Sequence, residues 1–174
     1  MKRKSIDIEE IYDSFSRGLY FTALRLLGNP AEAEDAMQES ILKYYDKAER
    51  EEIENIGGWL RRVCVRKCLD ILRRRERKSA YDQEISFLAE NSEPELYSGA
   101  ESAEETPIIQ LVMKLIAYLP NSCRTTVSLK LIEGYDYEEI AQITGDKESS
   151  IRSQYMRGRQ HLVQLLKKEG INYE

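Results

Sequence analysis

One acidic segment divides this chain into two parts, and that division constrains the fold more than any other feature. Residues 79–107 hold eight Asp/Glu and no Lys/Arg, and prolines stand at positions 94 and 107. The segment has no sustained apolar period, so it cannot bury enough apolar surface to offset the entropy of ordering it. We therefore predict a flexible acidic linker that joins two small domains, residues 1–78 and 108–174.

Both parts carry the 3.6-residue apolar period of amphipathic helices, and neither shows the alternation of a strand. In the first part the period predicts three helices and allows a short fourth one, over residues 8–27, 31–48, about 59–78 and around 50–56. In the second part it predicts four, over residues 108–119, 121–133, 137–144 and about 148–168. The predicted fold class is all-α, with two small helical domains.

Charge is distributed unevenly along the 174 residues, whose formal net charge is −5. The segment 79–107 carries all the net acidity, whereas residues 57–78 hold nine basic and two acidic side chains, a local charge of +7. Such a local excess of cations is typical of a nucleic-acid-binding surface, even in a chain that is acidic overall.

Several classes of protein are excluded by what the sequence lacks. No apolar run approaches the roughly 18 residues of a membrane-spanning helix, and no signal-peptide pattern occurs near the start. Three cysteines, at 64, 68 and 123, cannot all pair, and no further metal ligands stand at suitable spacing. Phosphate-binding loops and the common catalytic motifs are also missing. We expect a cytoplasmic protein that is not an enzyme, has no metal or cofactor and does not insert into the membrane.

The strongest local motif is a helix-turn-helix pattern in the last third of the chain. A short predicted helix, a turn with Gly145 and a longer helix give the layout that presents a recognition helix to the major groove. Asp136 and Glu139 form a capping-box pattern before the short helix. The longer helix is expected to be capped by Asp146 or Ser149.

Five side chains share the predicted solvent face near the start of the longer helix and are candidate contacts to duplex DNA: Ser149, Arg152, Ser153, Met156 and Arg157. Arginine can bind guanine edges or phosphate, and methionine can contact a thymine methyl group. An ordinary helical hairpin with a solvated face is the alternative interpretation.

A stripe of arginines follows the predicted helix 59–78. Spacings of four, seven and four residues place four of them on one side of the helix: Arg62, Arg66, Arg73 and Arg77. A stripe of this kind can follow a phosphate backbone, including that of a single strand. Asp70, at its edge, is expected to pair with Arg66 or Arg74, four residues away. A solvated basic face is an equally common explanation.

The predicted helix 31–48 carries an apolar residue on its polar face. Leu42 stands there with Asp35, Gln38 and Glu39. An isolated leucine among polar side chains is typical of an anchor in a protein interface, although single exposed leucines are also common. We interpret this face as a candidate protein-binding surface.

Taken in order, these motifs resemble the extracytoplasmic-function sigma factors of bacterial RNA polymerase over nearly the whole chain. Three signatures carry the resemblance: Leu27-Gly28-Asn29 with Ala33-Glu34-Asp35-Ala36-Met37-Gln38-Glu39-Ser40; Trp59-Leu60 with Asp70 and Leu72-Arg73-Arg74; and Leu119-Pro120, Arg124, Glu133-Gly134, Tyr137-Glu138-Glu139-Ile140-Ala141 and Ser150-Ile151-Arg152-Ser153. Three features depart from the usual pattern: Arg66 stands in place of an asparagine, the turn Gly145-Asp146-Lys147 in place of Gly-apolar-Ser, and Gln154 in place of a frequent arginine.

The resemblance implies a promoter-specificity subunit. Its first domain is expected to bind the polymerase core through the face around Leu42 and to melt the −10 element along the arginine stripe. Its second domain is expected to read the −35 element. Implied partners are core polymerase, promoter DNA and an anti-sigma factor, which in some systems is anchored in the membrane. The alternative is a stand-alone helix-turn-helix regulator with residues 1–78 as a sensor or dimerisation module; a helical enzyme is disfavoured by the missing motifs.

Overall fold

The computed structural model describes residues 7–82 and 107–171. Within these ranges the chain forms seven α-helices and no strand, which confirms the predicted all-α class. The helices are α1 (Ile8–Leu27), α2 (Pro30–Ala48), α3 (Ile56–Asp82), α4 (Pro107–Ile116), α5 (Asn121–Val127), α6 (Tyr137–Thr144) and α7 (Glu148–Lys168). A π-helical turn, Ser128–Ile132, follows α5. The described residues form two compact units, divided after Arg74.

Two predicted boundaries around α3 are wrong. The short helix allowed around 50–56 is not formed, because residues 49–55 make turns and bends until α3 begins at Ile56. Asn55 fixes that start, since its side-chain oxygen accepts a hydrogen bond of 2.9 Å from the Gly58 amide. The predicted end of this helix near 78 is also wrong, because α3 continues to Asp82 with no glycine or proline to end it. The remainder of the predicted linker, apart from Pro107 at the start of α4, lies outside the described residues.

The connection between α1 and α2 is built from three successive residues. Gly28 adopts φ 63°, a left-handed conformation that closes α1 through a 2.8 Å hydrogen bond from its amide to the Leu24 carbonyl. Asn29 then caps α2 by accepting a 3.0 Å hydrogen bond from the Glu32 amide, and Pro30 occupies the first helical position. This short connection lets α1 and α2 pack against each other along their apolar faces.

The core of the first unit is formed by the apolar faces of α1, α2 and α3. Its fully buried side chains include Leu26, Tyr44, Leu60, Cys64, Val65 and Cys68. The Cys64 thiol donates a hydrogen bond of 3.6 Å to the Leu19 carbonyl, across from α3 to α1. Ile8 and Tyr12 continue the apolar stripe of α1 in the sequence but are exposed in the structure. Because the apolar side of α3 is buried, its arginines are left on the solvent side.

The core of the second unit depends on a close approach of α5 and α7. Leu162 and Leu166 of α7 pack with Cys123 and Val127 of α5 and with apolar residues of α4. Gly158 lies at the crossing, where a Cβ atom would come within 2.7 Å of Val127 Cγ2 and 3.1 Å of Cys123 Cβ. A side chain at this site would require Val127 or one of the two helices to move, so the close approach of α7 to α5 depends on a residue that has no side chain.

The helix-turn-helix is formed by α6 and α7. The predicted capping box is confirmed: Asp136 accepts a 2.8 Å bond from the Glu139 amide, and Glu139 accepts a 3.0 Å bond from the Asp136 amide. Gly145 takes φ 80° and closes α6. The predicted cap of α7 is wrong, since Lys147 holds that position without a side-chain bond. Asp146 lies in the turn, where its amide donates to the Thr144 hydroxyl at 3.3 Å.

Candidate nucleic-acid and protein interfaces

The exposed face of α7 contains all five predicted duplex contacts. Ile151, Leu162 and Leu166 bury the opposite side of the helix in the second unit. The side chains on the solvent face are exposed: Ser149, Arg152, Ser153, Met156 and Arg157. Among the described residues no hydrogen bond or ion pair is formed by Arg157. The face therefore offers one unengaged cation beside a second arginine, Arg152, that is already held.

Arg152 is held by two residues that sequence reasoning did not single out. Glu148 Oε1 accepts hydrogen bonds from Arg152 Nε at 3.0 Å and from Nη2 at 2.5 Å. The guanidinium carbon also lies 4.9 Å from the centroid of the Tyr137 ring. The hydrogen bonds that Arg152 donates to Glu148 raise the pKa of Arg152. The four-residue spacing of Glu148 and Arg152 could have revealed the first contact, whereas the second joins α6 to α7 and has no local signal.

Gln154, which stands where the family often has arginine, is turned toward α5. Its side-chain amide lies 2.8 Å from the Thr126 hydroxyl, and the side chain is half-buried. The same hydroxyl lies 3.0 Å from the Ser122 carbonyl oxygen. Gln154 thus joins α7 to α5. Having glutamine here instead of arginine removes a cation from this position and adds a contact between the two helices.

The arginine stripe of α3 is exposed along its whole length, as predicted. Its pairing differs from the prediction, because Asp70 Oδ1 accepts a 3.4 Å hydrogen bond from Arg73, three residues away, and contacts neither Arg66 nor Arg74. Side chains three and four residues apart are both neighbours on a helix, so spacing alone could not decide between them. Arg66 forms no ion pair or hydrogen bond with any residue in the described part of the chain.

The four predicted interface residues on the polar face of α2 differ in exposure. Leu42 is 62% exposed, and Asp35 and Gln38 are exposed beside it. Glu39 is only half-exposed, because it forms ion pairs with Lys43 at 3.0 Å and with Lys67 of α3. The hydrogen bond from Lys67 lowers the pKa of Glu39. Glu39 therefore ties α2 to α3 and is the least available of the four predicted interface residues.

The cysteines and Arg124 are internal. Cys64, Cys68 and Cys123 are buried free thiols, and their surroundings in the described ranges contain no group of three His, Cys, Asp or Glu side chains able to hold a metal. Arg124, which belongs to the third signature, is buried and donates to the Ala117 carbonyl at 3.3 Å and to Asn121 Oδ1 at 2.7 Å. Burial lowers its pKa. Arg124 thus joins α5 to the end of α4 and contributes to the fold.

None of the described helices is long and apolar enough to cross a lipid bilayer. The described chain exposes three surfaces of interest, namely the two basic faces and the face around Leu42. All three lie on helices whose opposite sides are buried, which fixes the backbone that carries them.

Known proteins match the chain in two parts. Residues 11–78 match sigma-70 region 2, and residues 109–162 match sigma-70 region 4. The sigma factor SigE of Mycolicibacterium smegmatis is 31% identical over 164 residues, which span 92% of this chain and 62% of SigE. SigW of Bacillus subtilis is 24% identical over 169 residues, which span 91% of this chain and 88% of SigW. The chain thus spans less than two thirds of the mycobacterial relative and most of the Bacillus one.

Two solved structures share the fold. The sigma factor RpoE of Bartonella quintana, crystallised with the anti-sigma factor NepR, gives a TM-score of 0.67 at 22% identity, with 92% of this chain and 97% of RpoE covered. SigJ, an extracytoplasmic-function sigma factor of Mycobacterium tuberculosis, gives 0.62 at 22% identity and covers 90% of this chain and 53% of SigJ. Since regions 2 and 4 match in order, and the relatives SigE and SigW are extracytoplasmic-function sigma factors, the chain belongs to that family of sigma factors.

Proposed function

We propose that this chain binds the core of bacterial RNA polymerase and directs it to promoters by recognising the −10 and −35 elements. The observation that carries the proposal is that each matched region has a helix that buries its apolar side and exposes a basic face to solvent. As an initiation factor it has no reaction of its own, and it acts in the cytoplasm, where the polymerase works.

The polymerase contact is proposed for the exposed part of the α2 face. Leu42, with 62% of its surface open to solvent, supplies the apolar anchor, and Asp35 and Gln38 supply polar contacts around it. Gln38 is steadied by a 3.1 Å hydrogen bond from its amide to Glu34. Glu39 takes part mainly by holding α2 against α3, through its ion pair with Lys67.

Two DNA contacts are proposed on the basic faces. The stripe of α3 holds the separated strand of the −10 element, because four exposed guanidinium groups on one side can follow successive phosphates. The solvent face of α7 enters the major groove of the −35 element, where arginine and methionine can contact base edges. Ser149 and Ser153 lie on the same face, and the Ser153 hydroxyl donates to the Ser149 carbonyl at 3.0 Å.

The proposal assigns the polymerase and −10 contacts to a domain of residues 1–78 and the −35 contact to a domain of residues 108–174, joined by a linker of residues 79–107. It also includes an anti-sigma partner. The solved relative RpoE was crystallised with such a factor, NepR. Limited proteolysis of the full chain tests the division: cleavage should fall between 79 and 107 and leave two resistant fragments. Equal resistance along the whole chain would contradict it.

The function is tested by adding the purified chain to bacterial core polymerase on a promoter library with randomised −10 and −35 elements. We expect transcripts only when the chain is present, and only from templates that share two motifs. A stand-alone regulator would behave differently, because it would bind duplex DNA without polymerase and would fail to support transcripts. That outcome would overturn the proposal.

A further inference from the structure

Arg152 has one edge of its guanidinium occupied and one edge open. Two hydrogen bonds, from Nε and from Nη2, end on the same Glu148 oxygen. Guanidinium has five N–H donors in a planar fork, so the edge formed by Nη1 and the second Nη2 hydrogen remains available. Arginine recognises guanine by donating two such parallel bonds to O6 and N7. Glu148 thus leaves open the pair of donors that a guanine edge requires.

The plane of the guanidinium is restrained from a second side. Tyr137 lies at the start of α6 with its ring centroid 4.9 Å from Arg152 Cζ. The ring is itself fixed, since it packs against Tyr155 at 5.7 Å with an interplanar angle of 66°, and Lys130 Nζ lies 4.8 Å from its centroid. A carboxylate on one edge and a fixed ring beside it limit the orientations that Arg152 can adopt.

An unrestrained arginine on an exposed helix binds any phosphate, and that contact carries no sequence information. A restrained arginine loses less entropy when it binds in its fixed geometry, and the nearby carboxylate repels phosphate. We propose that Glu148 and Tyr137 are positioning residues that determine specificity, by holding Arg152 for a guanine edge in the −35 duplex and away from the phosphate backbone. This inference rests on the proposed function.

The alternative explanation is that Glu148 only stabilises α7. An acidic side chain in the first turn favours the helix dipole, and an exposed ion pair contributes little to folding. Glu138 provides a matched control, because it is also an exposed acid in the first turn of a helix, α6, and pairs with Gln142 at 3.5 Å. Replacing either acid by glutamine should affect the helix ends similarly, but only Glu148→Gln releases Arg152.

The test uses the full chain bound to bacterial core polymerase and a pool of duplexes randomised over the −35 element, with bound sequences counted. Wild type and Glu138→Gln should select guanine at one position, and Arg152→Ala should lose that preference. Glu148→Gln and Tyr137→Leu should weaken it at the same position by at least about 5-fold, the lower end of what one arginine–guanine pair contributes. Tyr137→Phe keeps the ring and should keep the preference.

Affinity for unselected duplex should change in the opposite direction in Glu148→Gln. A freed cation adds about one phosphate contact, so binding should tighten and the slope of log affinity against log salt should steepen by up to about 0.9. A role confined to helix stability would move neither quantity. In the double variant with Arg152→Ala, Glu148→Gln should cause no further loss of preference.

The outcomes separate the inference from the function. If wild type selects no sequence, the proposed function fails and the inference falls with it. If wild type selects a motif that Glu148→Gln retains unchanged, only the inference is overturned. A changed preference at a different base pair would mean that Glu148 itself contacts a base, which also contradicts the positioning role.

Discussion

Arg66 on the basic face of α3 and Arg152 on that of α7 are held in opposite ways. On α3, Arg66 forms no hydrogen bond or ion pair within the described residues, and Arg73 forms an exposed contact of 3.4 Å to Asp70. On α7, Arg152 is bound by Glu148 and lies against the Tyr137 ring. A separated strand is flexible and is held mainly through charge, so mobile cations suffice. A duplex presents fixed base edges, so reading them favours a cation whose direction is set in advance.

The helices that carry these faces are also anchored differently. The first unit ties α3 to α2 by an ion pair between Lys67 and Glu39 at the edge of an apolar core. In the second unit α7 packs closely against α5 at Gly158, where a Cβ atom would clash with Val127. Steric exclusion fixes a position more strictly than an ion pair between flexible side chains, in keeping with the stricter geometry that duplex recognition needs.

The largest effect on stability is expected from disrupting the close packing of α7 against α5. Gly158→Ala places a Cβ atom 2.7 Å from Val127 Cγ2 and 3.3 Å from the Cys123 carbonyl oxygen. Overpacking costs about 1–3 kcal/mol, which exceeds the roughly 1 kcal/mol gained in helix propensity. Gly18→Ala on α1 meets nothing within 4 Å and should be stabilising. Urea unfolding of both variants measures the difference, and equal stability would contradict the close crossing.

A somewhat smaller effect is expected at the proposed polymerase contact on α2, which lies on neither of the two basic faces. Leu42→Ala should weaken binding to core polymerase by more than about 1 kcal/mol if the leucine is an anchor. Its effect on folding should stay under about 0.5 kcal/mol, because 62% of the side chain is exposed. Leu131, which is 52% exposed in the second unit, provides the control. Unchanged assembly of a double variant at Gln38 and Leu42 would exclude this surface.

The unengaged arginine of α3 tests the comparison directly. Arg66→Ala should leave polymerase assembly intact and slow strand opening by about 1.5- to 5-fold, the range of one exposed charge contact. The defect should shrink with added salt, which screens the contact in wild type, and on a template already mismatched around −10. A fluorescent base at −10 reports opening. Arg61→Ala, about 140° around the helix, is the control; opening as fast as wild type would make Arg66 a solvated surface charge.

The smallest effect on stability is expected at the ion pair between Glu39 of α2 and Lys67 of α3. The pKa of Glu39 is lowered, so its charged form favours the folded state. That contribution is present above the ordinary value of 4.5 and is lost as the pH falls through the lowered folded value. Glu39→Gln should therefore cost stability at pH 7 and cost progressively less below about pH 4.5.

The cost should remain under about 1 kcal/mol, because the Glu39 side chain is 38% exposed and solvent screens the pair. Urea unfolding at pH 7 and near pH 3.5 gives the comparison. Glu51→Gln is the control, since Glu51 pairs with Lys47 at 2.9 Å and is 63% exposed. A Glu39→Gln effect that persists unchanged at low pH would show that the ion pair is not its cause.

The sequence by itself determined the helices and which faces they expose. Apolar spacing placed α1, α6 and α7 almost to the residue, and the Asp136–Glu139 capping box followed from two residues three apart. The five candidate contacts of α7 and the four arginines of α3 are exposed as predicted. Each of these features depends on neighbours within one helical turn, which spacing along the chain specifies.

Only the tertiary structure decided which side chains meet between helices. The pairing of Glu39 with Lys67, the ring of Tyr137 beside Arg152 and the crowding of Gly158 all join residues from different helices. The choice of Arg73 as the partner of Asp70 was also open, because side chains three and four residues away are both within reach. Such contacts depend on distances between packed helices, and packing fixes those distances through the fit of many side chains at once.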